Sequence, residues 1–548
     1  MANIFNSVPV SIPKRNRFRG LSHQVKFTCE MGQLIPILCQ DVLPNDRFRI
    51  SCNDLVRFAP LIAPILSEID CYIHFFFVPN RLIWNSWEEF ITGSQNGYSN
   101  NDSVVLWPSY NVPILSSGSE VTPELQNRSL ADYLGFQTWS HNFFSDTPIQ
   151  TTSLDIDAMP FRCYQRIWYD YYRDENLDDS EDYENFYKSS GQMDFNSSSS
   201  TPNEPSVFMQ LKNRAWRKDY FTSALPWAQK GPEVLIPQSD LSFVRNGSDS
   251  SDFSSNVVNL GSGPVYYVQD GGSESVRLKP NDRSNLIQLN VNNFDVTSDS
   301  ATSATIRELR RAYAAQRFLE RRAIGGTRYT ELLRSFFGAR SSDSRLQRVE
   351  FLGGLKNPVV VSQVLQTSES TSNSPQGQPS GNAVSAGGKY IFDRTFEEHG
   401  YIMAIFSVLP RADYMNGIPR KYLRRDVYDF YWPQFAHIGE QSIQNQELIF
   451  DPYMSQDSNE GTFGYTPRYA EYRFNNNRVC GDFKDSLKFW TLGRDFNRQQ
   501  KLNSSFINCN PSDRIFAVES DSGFNHLWCE VAFNIDALRP IPKYGESL

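Results

Sequence analysis

The sequence has little of what builds a reaction centre. Its six histidines, at 23, 74, 141, 399, 437 and 526, lie far apart. No HExxH or His-x-His pattern is present, so neither a zincin nor a nicking-type metal site is signalled. Gly388-Lys389 lacks the upstream glycine and the Ser/Thr of a phosphate loop. Gly261-Ser262-Gly263 is not followed by the third glycine of a dinucleotide fingerprint, and there is no GxSxG elbow. Carboxylate pairs abound, but a glycosidase pair is defined by geometry and not by sequence. The eight cysteines (29, 39, 52, 71, 163, 480, 509 and 529) form no CxxC pair, which excludes a zinc ribbon or a redox motif. They read as small core residues of a reduced protein. Long apolar runs are missing too, so no membrane span is expected. The first twenty residues lack the apolar segment of a signal peptide, and the expectation is a soluble protein made and kept in a cytoplasm. Positive charge is not in excess, because the net charge is −9. By composition the whole molecule is therefore not a basic nucleic-acid binder. No catalytic residue, cofactor or metal is expected.

Aromatic residues are what the chain has in quantity: 10 Trp, 26 Tyr and 39 Phe, 14% of 548 residues. Both a β-rich core and protein–protein interfaces use such residues. Residues 69–93, IDCYIHFFFVPNRLIWNSWEEFITG, organise the rest. Ile69, Cys71, Ile73, Phe75 and Phe77 alternate on one face, the period of a strand. The other face is polar at its start and apolar at Phe76 and Val78, so it is covered over part of its length. Pro79 stops the strand. A helix is expected next, with Asn85 as N-cap, Glu88 at N3 and Gly93 closing it. Trp84, Trp87, Phe90 and Ile91 form its apolar stripe. His74 and His399 read as structural.

Strand patterns crowd both ends of the chain. QVKFTCEM, QLIPILCQDVL and DRFRISC precede 69–78, while HGYIMAIFSVLPRADY (399–414) and HLWCEVAFNIDAL (526–538) come late. Helices are expected at 128–135, closed by Gly135, at 160–177, and across 305–338. Thr305 and Glu308 form a capping box for the last of these. Its apolar residues (Ile306, Leu309, Ala312, Tyr313, Leu319, Ala323) separate from Arg307, Arg310, Arg311, Arg317, Arg321 and Arg322, with Phe318 as the exception. Gly325-Gly326 end it, and a second helix runs from Thr327 to Gly338. Polar, irregular insertions are expected at 94–158, 178–217 and 238–304, the last a candidate surface protrusion. Composition makes 366–388 a flexible loop.

Charge is unevenly placed. Lys14, Arg15, Arg17 and Arg19 lie on a Pro-bearing segment, 1–22, that reads as a basic arm: either a solvated tail or a contact to phosphates or a neighbouring subunit. Residues 170–186 hold eight carboxylates against one arginine, read as a solvated acidic loop because no EF-hand spacing is present. Residues 306–348 hold eleven arginines and four carboxylates, which fits subunit contact, nucleic acid or a merely solvated face.

FFFVPNRLIWNSW (75–87), YRDENL (172–177), DYFTSALPWAQKGP (219–232), the run 308–354, GYIMAIFSVLPRADY (400–414) and YTPRYAEY (465–472) together resemble the major capsid protein of small single-stranded DNA bacteriophages. The gokushovirus-like branch of the Microviridae is most similar. The resemblance implies a mainly β, eight-stranded antiparallel jelly roll with long loop insertions and a few helices, occupying residues 23–548 as one domain after the arm. It implies a non-enzymatic structural subunit of the virion, sixty copies of which form a T=1 icosahedral shell around circular single-stranded DNA. The shell would assemble in the bacterial host cytoplasm with an internal scaffolding protein and a DNA-pilot or minor capsid protein, and exposed loops would meet a host receptor. On this reading Lys14, Arg15, Arg17 and Arg19 face the genome, and Trp84, Trp87 and the arginines at 307, 310, 311, 317, 321 and 322 serve subunit interfaces. The rival reading is a carbohydrate-binding or carbohydrate-active β-sandwich, favoured by aromatics and carboxylates, which predicts a small oligomer with a sugar cleft.

Overall fold

The structure, a computed structural model, describes residues 15–92, 105–116, 120–141, 143, 153–178, 187–195, 203–232, 241–245, 266–270, 275–280, 287–290, 294–298, 306–326, 328–338, 340, 342–365, 379–518 and 524–544. Two compact units are present, one of residues 1–228 with 323–548 and one of residues 229–322.

The two large sheets of the first unit hold ten strands: β1 (Asn16–Phe18), β2 (His23–Cys29), β3 (Ile35–Val42), β4 (Arg47–Phe58), β5 (Ile69–Pro79), β6 (Glu350–Pro358), β7 (Val360–Leu365), β8 (Pro379–Thr395), β9 (Gly400–Pro410) and β10 (Leu527–Arg539). One sheet has the order β2-β10-β4-β8, and the other β6-β5-β9-β3, all antiparallel. These eight strands are the expected jelly roll. The two short strands extend it: β7 pairs with β8, and β1 pairs with the end of β10 that β2 leaves free. Every early strand finds a late partner, which explains strand patterns at both ends of the sequence.

The alternation in β5 sets the packing. Ile69, Cys71, Ile73, Phe75 and Phe77 point between the sheets, meeting Phe48, Ile50, Phe392, Phe406 and Phe533. Phe76 and Val78 point the other way, into a second core with Tyr164, Met403 and Ile405. Strand β9 is buried at all eleven positions for the same reason. One sheet is thus covered on both faces, by the other sheet and by the helix Met159–Ile167. A third cluster, around Trp216, Phe221, Phe463 and Phe506, lies under the aromatic loops after β9.

Several expectations are corrected. The helix at 160–177 stops at Tyr172: it passes at Trp168 into a π-helical turn, where the Arg173 N–H donates to Trp168 O at 2.9 Å. The helix after β5 is broken in two, Asn80–Ile83 and Trp87–Thr92, so Asn85 lies in the turn between them and Gly93 falls outside the described residues. Residues 379–388 are strand, not flexible loop. Their glycines answer to close approach: a Cβ on Gly381 would lie 2.6 Å from Ala63 O, and one on Gly387 or Gly388 would collide with Asn357 or Asn53. The acidic block is not solvated at its start. Asp170 is buried and accepts from the Val349 N–H at 3.0 Å and from Arg166, Asp174 pairs with Lys218 at 2.7 Å, and Glu175 with Arg328 at 2.8 Å. Residues 179–186 of that block lie outside the described residues.

Helix Leu130–Leu134 is closed by Gly135 at φ 91° and helix Tyr329–Phe337 by Gly338 at φ 68°, as read from the sequence, and the structure adds Ser129 as the cap of the first. Six of the eight cysteines are buried and all are free. In the second unit, Leu241–Arg245 pairs with Phe294–Ser298, and Tyr266–Asp270, Ser275–Pro280 and Ile287–Asn290 form a three-stranded sheet. Most of the helix Ile306–Ile324 also belongs to this unit; Thr305 falls outside the described residues. Among the described residues no helix is long and apolar enough to cross a membrane.

Candidate functional site

The basic N-terminal segment is tied down where the sequence reads a free arm. Residues 16–18 lie in register with 537–539, and Asn16 Nδ2 donates to Ile541 O at 2.8 Å. Arg17 Nε donates to Asp536 Oδ1 at 2.6 Å, and that guanidinium, with Arg19 nearby, holds the Asp536 carboxyl below its usual range. Arg15 and Arg19 are exposed on either side of the strand, and Lys14 lies outside the described residues. The strand forms because one edge of β10 is unoccupied beyond β2, and an alternating N-R-F segment fills it.

Trp84 cannot serve an interface, which corrects the reading from sequence. It is fully buried, its Nε1–H donates to Ser190 Oγ at 2.9 Å, and its ring packs on Phe90 and Trp107 with centroids 5.1 and 5.5 Å away. The break in the helix at Trp84 turns that ring inward. Trp87 is half-buried beside His399, so the outward apolar residues of this corner are Phe90 and Ile91. His74 is structural: its Nδ1 is 2.7 Å from the Tyr172 hydroxyl, and burial, aided by Arg214, holds its pKa down at about 4.

Arg307, Arg310, Arg311, Arg317, Arg321 and Arg322 are all exposed along the helix Ile306–Ile324. Leu309, Tyr313 and Phe318 are exposed as well, so both faces of this amphipathic helix present contact surface.

Two features go beyond the residues singled out in sequence. The first is an aromatic surface on residues 422–474. Tyr428, Phe430, Tyr431, Tyr472 and Phe474 are each at least 50% exposed, yet held in place. The Arg424 guanidinium lies 4.4 Å from the Tyr472 ring and 5.4 Å from Phe430, and Tyr431 packs 5.0 Å from Tyr469. Rigid, exposed aromatics braced by arginine suit protein–protein contact. The signal in sequence was the Pro-punctuated aromatic run itself, which also describes buried loops.

The second is a cleft of about 1080 Å³ between the π-helical turn, residues 214–218 and the helix Tyr329–Phe337. Six cations line it (Arg173, Arg214, Arg217, Lys218, Arg328 and Arg334), against Asp174, Glu175 and Glu331, with Tyr172, Trp216 and Phe351 as flat walls. Arg217, Lys218 and Arg328 pair with Asp70, Asp174 and Glu175. The remaining chemistry fits an anion beside a planar ring. Burial pushes the Cys52 thiol up to about 12, so it is protonated and no nucleophile at neutral pH.

Comparison with known proteins agrees with this architecture. The family described as "Capsid protein (F protein)" matches residues 6–548. The chain is 34% identical over 611 aligned residues to capsid protein VP1 of Chlamydia phage 1, covering 100% of this chain and 97% of that protein. It is 32% identical to capsid protein VP1 of Bdellovibrio phage phiMH2K, covering 99% and 96%, and 28% identical to that of Spiroplasma virus 4, covering 96% and 94%. A jelly roll with exposed aromatic and arginine-bearing surfaces, matched end to end by phage coat proteins, belongs to the capsid protein (F protein) family, in its gokushovirus-like branch, and is a structural major capsid protein of the virion.

Proposed function

We propose that sixty copies of this subunit close into a T=1 icosahedral shell around circular single-stranded DNA. The observation that carries this is the exposed, rigid aromatic surface of residues 422–474 on a jelly roll whose own core is complete. A monomer gains nothing from leaving such rings in water, whereas repeated interfaces of closed symmetry bury them. The role is architectural and not enzymatic. Exposed loops, 238–304 foremost, are proposed to protrude and to meet the host receptor, and an internal scaffolding protein and a DNA-pilot protein are proposed partners in assembly. Expression of the chain together with the scaffolding and DNA-pilot proteins of the same virus, followed by size-exclusion chromatography and negative-stain microscopy, tests the reading: uniform isometric particles are expected, and a subunit that stays monomeric at high concentration in their presence overturns it.

Genome contact is proposed for Lys14, Arg15, Arg17 and Arg19. Arg17 already has Asp536, so Arg15 and Arg19 carry the exposed charge next to that pair. Replacing all four with Gln is expected to lower DNA retention and to flatten its salt dependence, by roughly 0.7 in log–log slope per lost phosphate contact on a single strand. Unchanged packaging and slope overturn it.

A further inference from the structure

We propose that Glu30, Asp513 and His526 form a binding site for a divalent transition metal of the zinc class. Three distant segments meet there: Glu30 just after β2, Asp513 in the loop before Ile515, and His526 just before β10. Their nitrogen and oxygen ligand atoms all lie within 4.8 Å of one another. His526 Nδ1 is 3.0 and 3.1 Å from the two Glu30 oxygens and 3.9 Å from Asp513 Oδ1. Its Nε2 faces Val518 O at 3.4 Å.

The hydrogen-bond bookkeeping of this ring is what points to a cation. With the proton on Nε2, that N–H donates to Val518 O, and the Nδ1 lone pair then faces carboxylate oxygens with nothing positive between them. With the proton on Nδ1 instead, the Nε2 lone pair faces a carbonyl oxygen. Neither neutral tautomer satisfies both sides; a positive charge does, either as a second ring proton or as a metal ion in place of the Nδ1 proton. The first tautomer becomes favourable once a metal occupies the space between Nδ1 and the carboxylates, and a backbone carbonyl on the far nitrogen is the usual way of orienting such a ligand. The spacings agree: bonds of about 2.0–2.1 Å in tetrahedral geometry put neighbouring ligand atoms roughly 3.3 Å apart, between the observed 3.0 and 3.9 Å.

The site is also built. His526 is 2% exposed, stacks on Phe516 at 4.3 Å, and its backbone is held by Glu30 Oε1 at 2.9 Å and by Ala59 at 2.7 Å. Asp513 is open to solvent, which leaves a path for entry and a fourth position for water. Such an ion would pin the loop at 513 to the junction of the first and last jelly-roll strands.

The test uses the purified full chain, assembled or not. It is stripped with EDTA, dialysed and titrated with zinc chloride, following heat of binding and melting temperature, with cobalt substitution as a spectroscopic check of ligand number. One zinc per chain, a raised melting temperature and a four-coordinate cobalt spectrum are expected. Asp513→Asn, at a half-buried loop position that should not disturb folding, is expected to weaken zinc binding at least tenfold while circular dichroism stays unchanged. If zinc neither binds nor shifts the melting temperature, the cluster is an imidazolium–carboxylate pair only and the proposal is overturned. Equal zinc affinity in Asp513→Asn overturns it as well.

Discussion

His74 shows how one side chain sets a pH limit. The folded chain keeps its imidazole neutral down to about pH 4, whereas an unfolded histidine takes up its proton near 6.5. Unfolding therefore gains a proton between those values. Its stability contribution is complete above pH 6.5 and falls as the pH drops toward 4, by on the order of 3 kcal/mol. Thermal unfolding from pH 7 to 4.5 should show this loss, and His74→Phe should flatten it; an unchanged slope in the variant excludes His74 as the source. Arg162 sits at the other extreme, fully buried, with its Nε 2.7 Å from Glu204 Oε1 and its Nη2 3.0 Å from Ser189 O. Glu204→Ala leaves that guanidinium without its counter-charge in the second core, and a destabilisation of about 3–5 kcal/mol is expected by chemical denaturation. Neither role was legible in the sequence beyond a bland assignment of His74 to structure. Burial at one residue depends on partners a hundred positions away, such as Tyr172.

At the scale of elements, strand-length apolar patterns marked β2, β3, β5, β9 and β10 nearly to their ends, by alternation in β5 and by a continuous buried run in β9, because such patterning is a local property that packing then uses. Composition misled where glycine was read as looseness. Strand β8 runs through Gly381, Gly387 and Gly388 because backbone and amide groups press against it. Gly381→Ala is expected to cost about 1–3 kcal/mol, since Ala63 O must move, while Gly20→Ala, with nothing within 4 Å, should be neutral. Equal melting temperatures for the two variants would show that the sheet yields at Gly381. The π-helical turn at Trp168 was equally invisible, as its aromatic spacing also fits an α-helix. Trp84 failed as an interface residue because periodicity finds an apolar stripe without saying whether it faces a partner or the chain's own core.

At the scale of the whole molecule, residues 229–322 form a compact unit, and its strands 241–245 and 294–298 pair so that Leu241 lies opposite Ser298. The chain thus enters and leaves that pair side by side. Replacing 241–298 with a short Gly/Ser linker should leave the jelly roll folded and the shell itself of unchanged diameter in the microscope, with its protrusions lost. Loss of soluble protein would show that the fold depends on the segment. The candidate surfaces were partly legible: arginine runs mark exposed faces, but the cleft beside the π-helical turn draws its cations from 173, 214–218, 328 and 334, and only folding assembles them.

The pairing of β10 with both β2 and β4 has a consequence in time. About 500 residues separate the two sides of that sheet, which at 5–20 residues per second is roughly 25–100 s of translation. Until the ribosome has passed residue 539, β2 and β4 have no central strand between them. A subunit cut short by an early stop or a stalled ribosome keeps those edges open and never closes its sandwich. Completion of the last strand therefore acts as a proofreading step: only chains translated to the end acquire the shape from which a shell can be built.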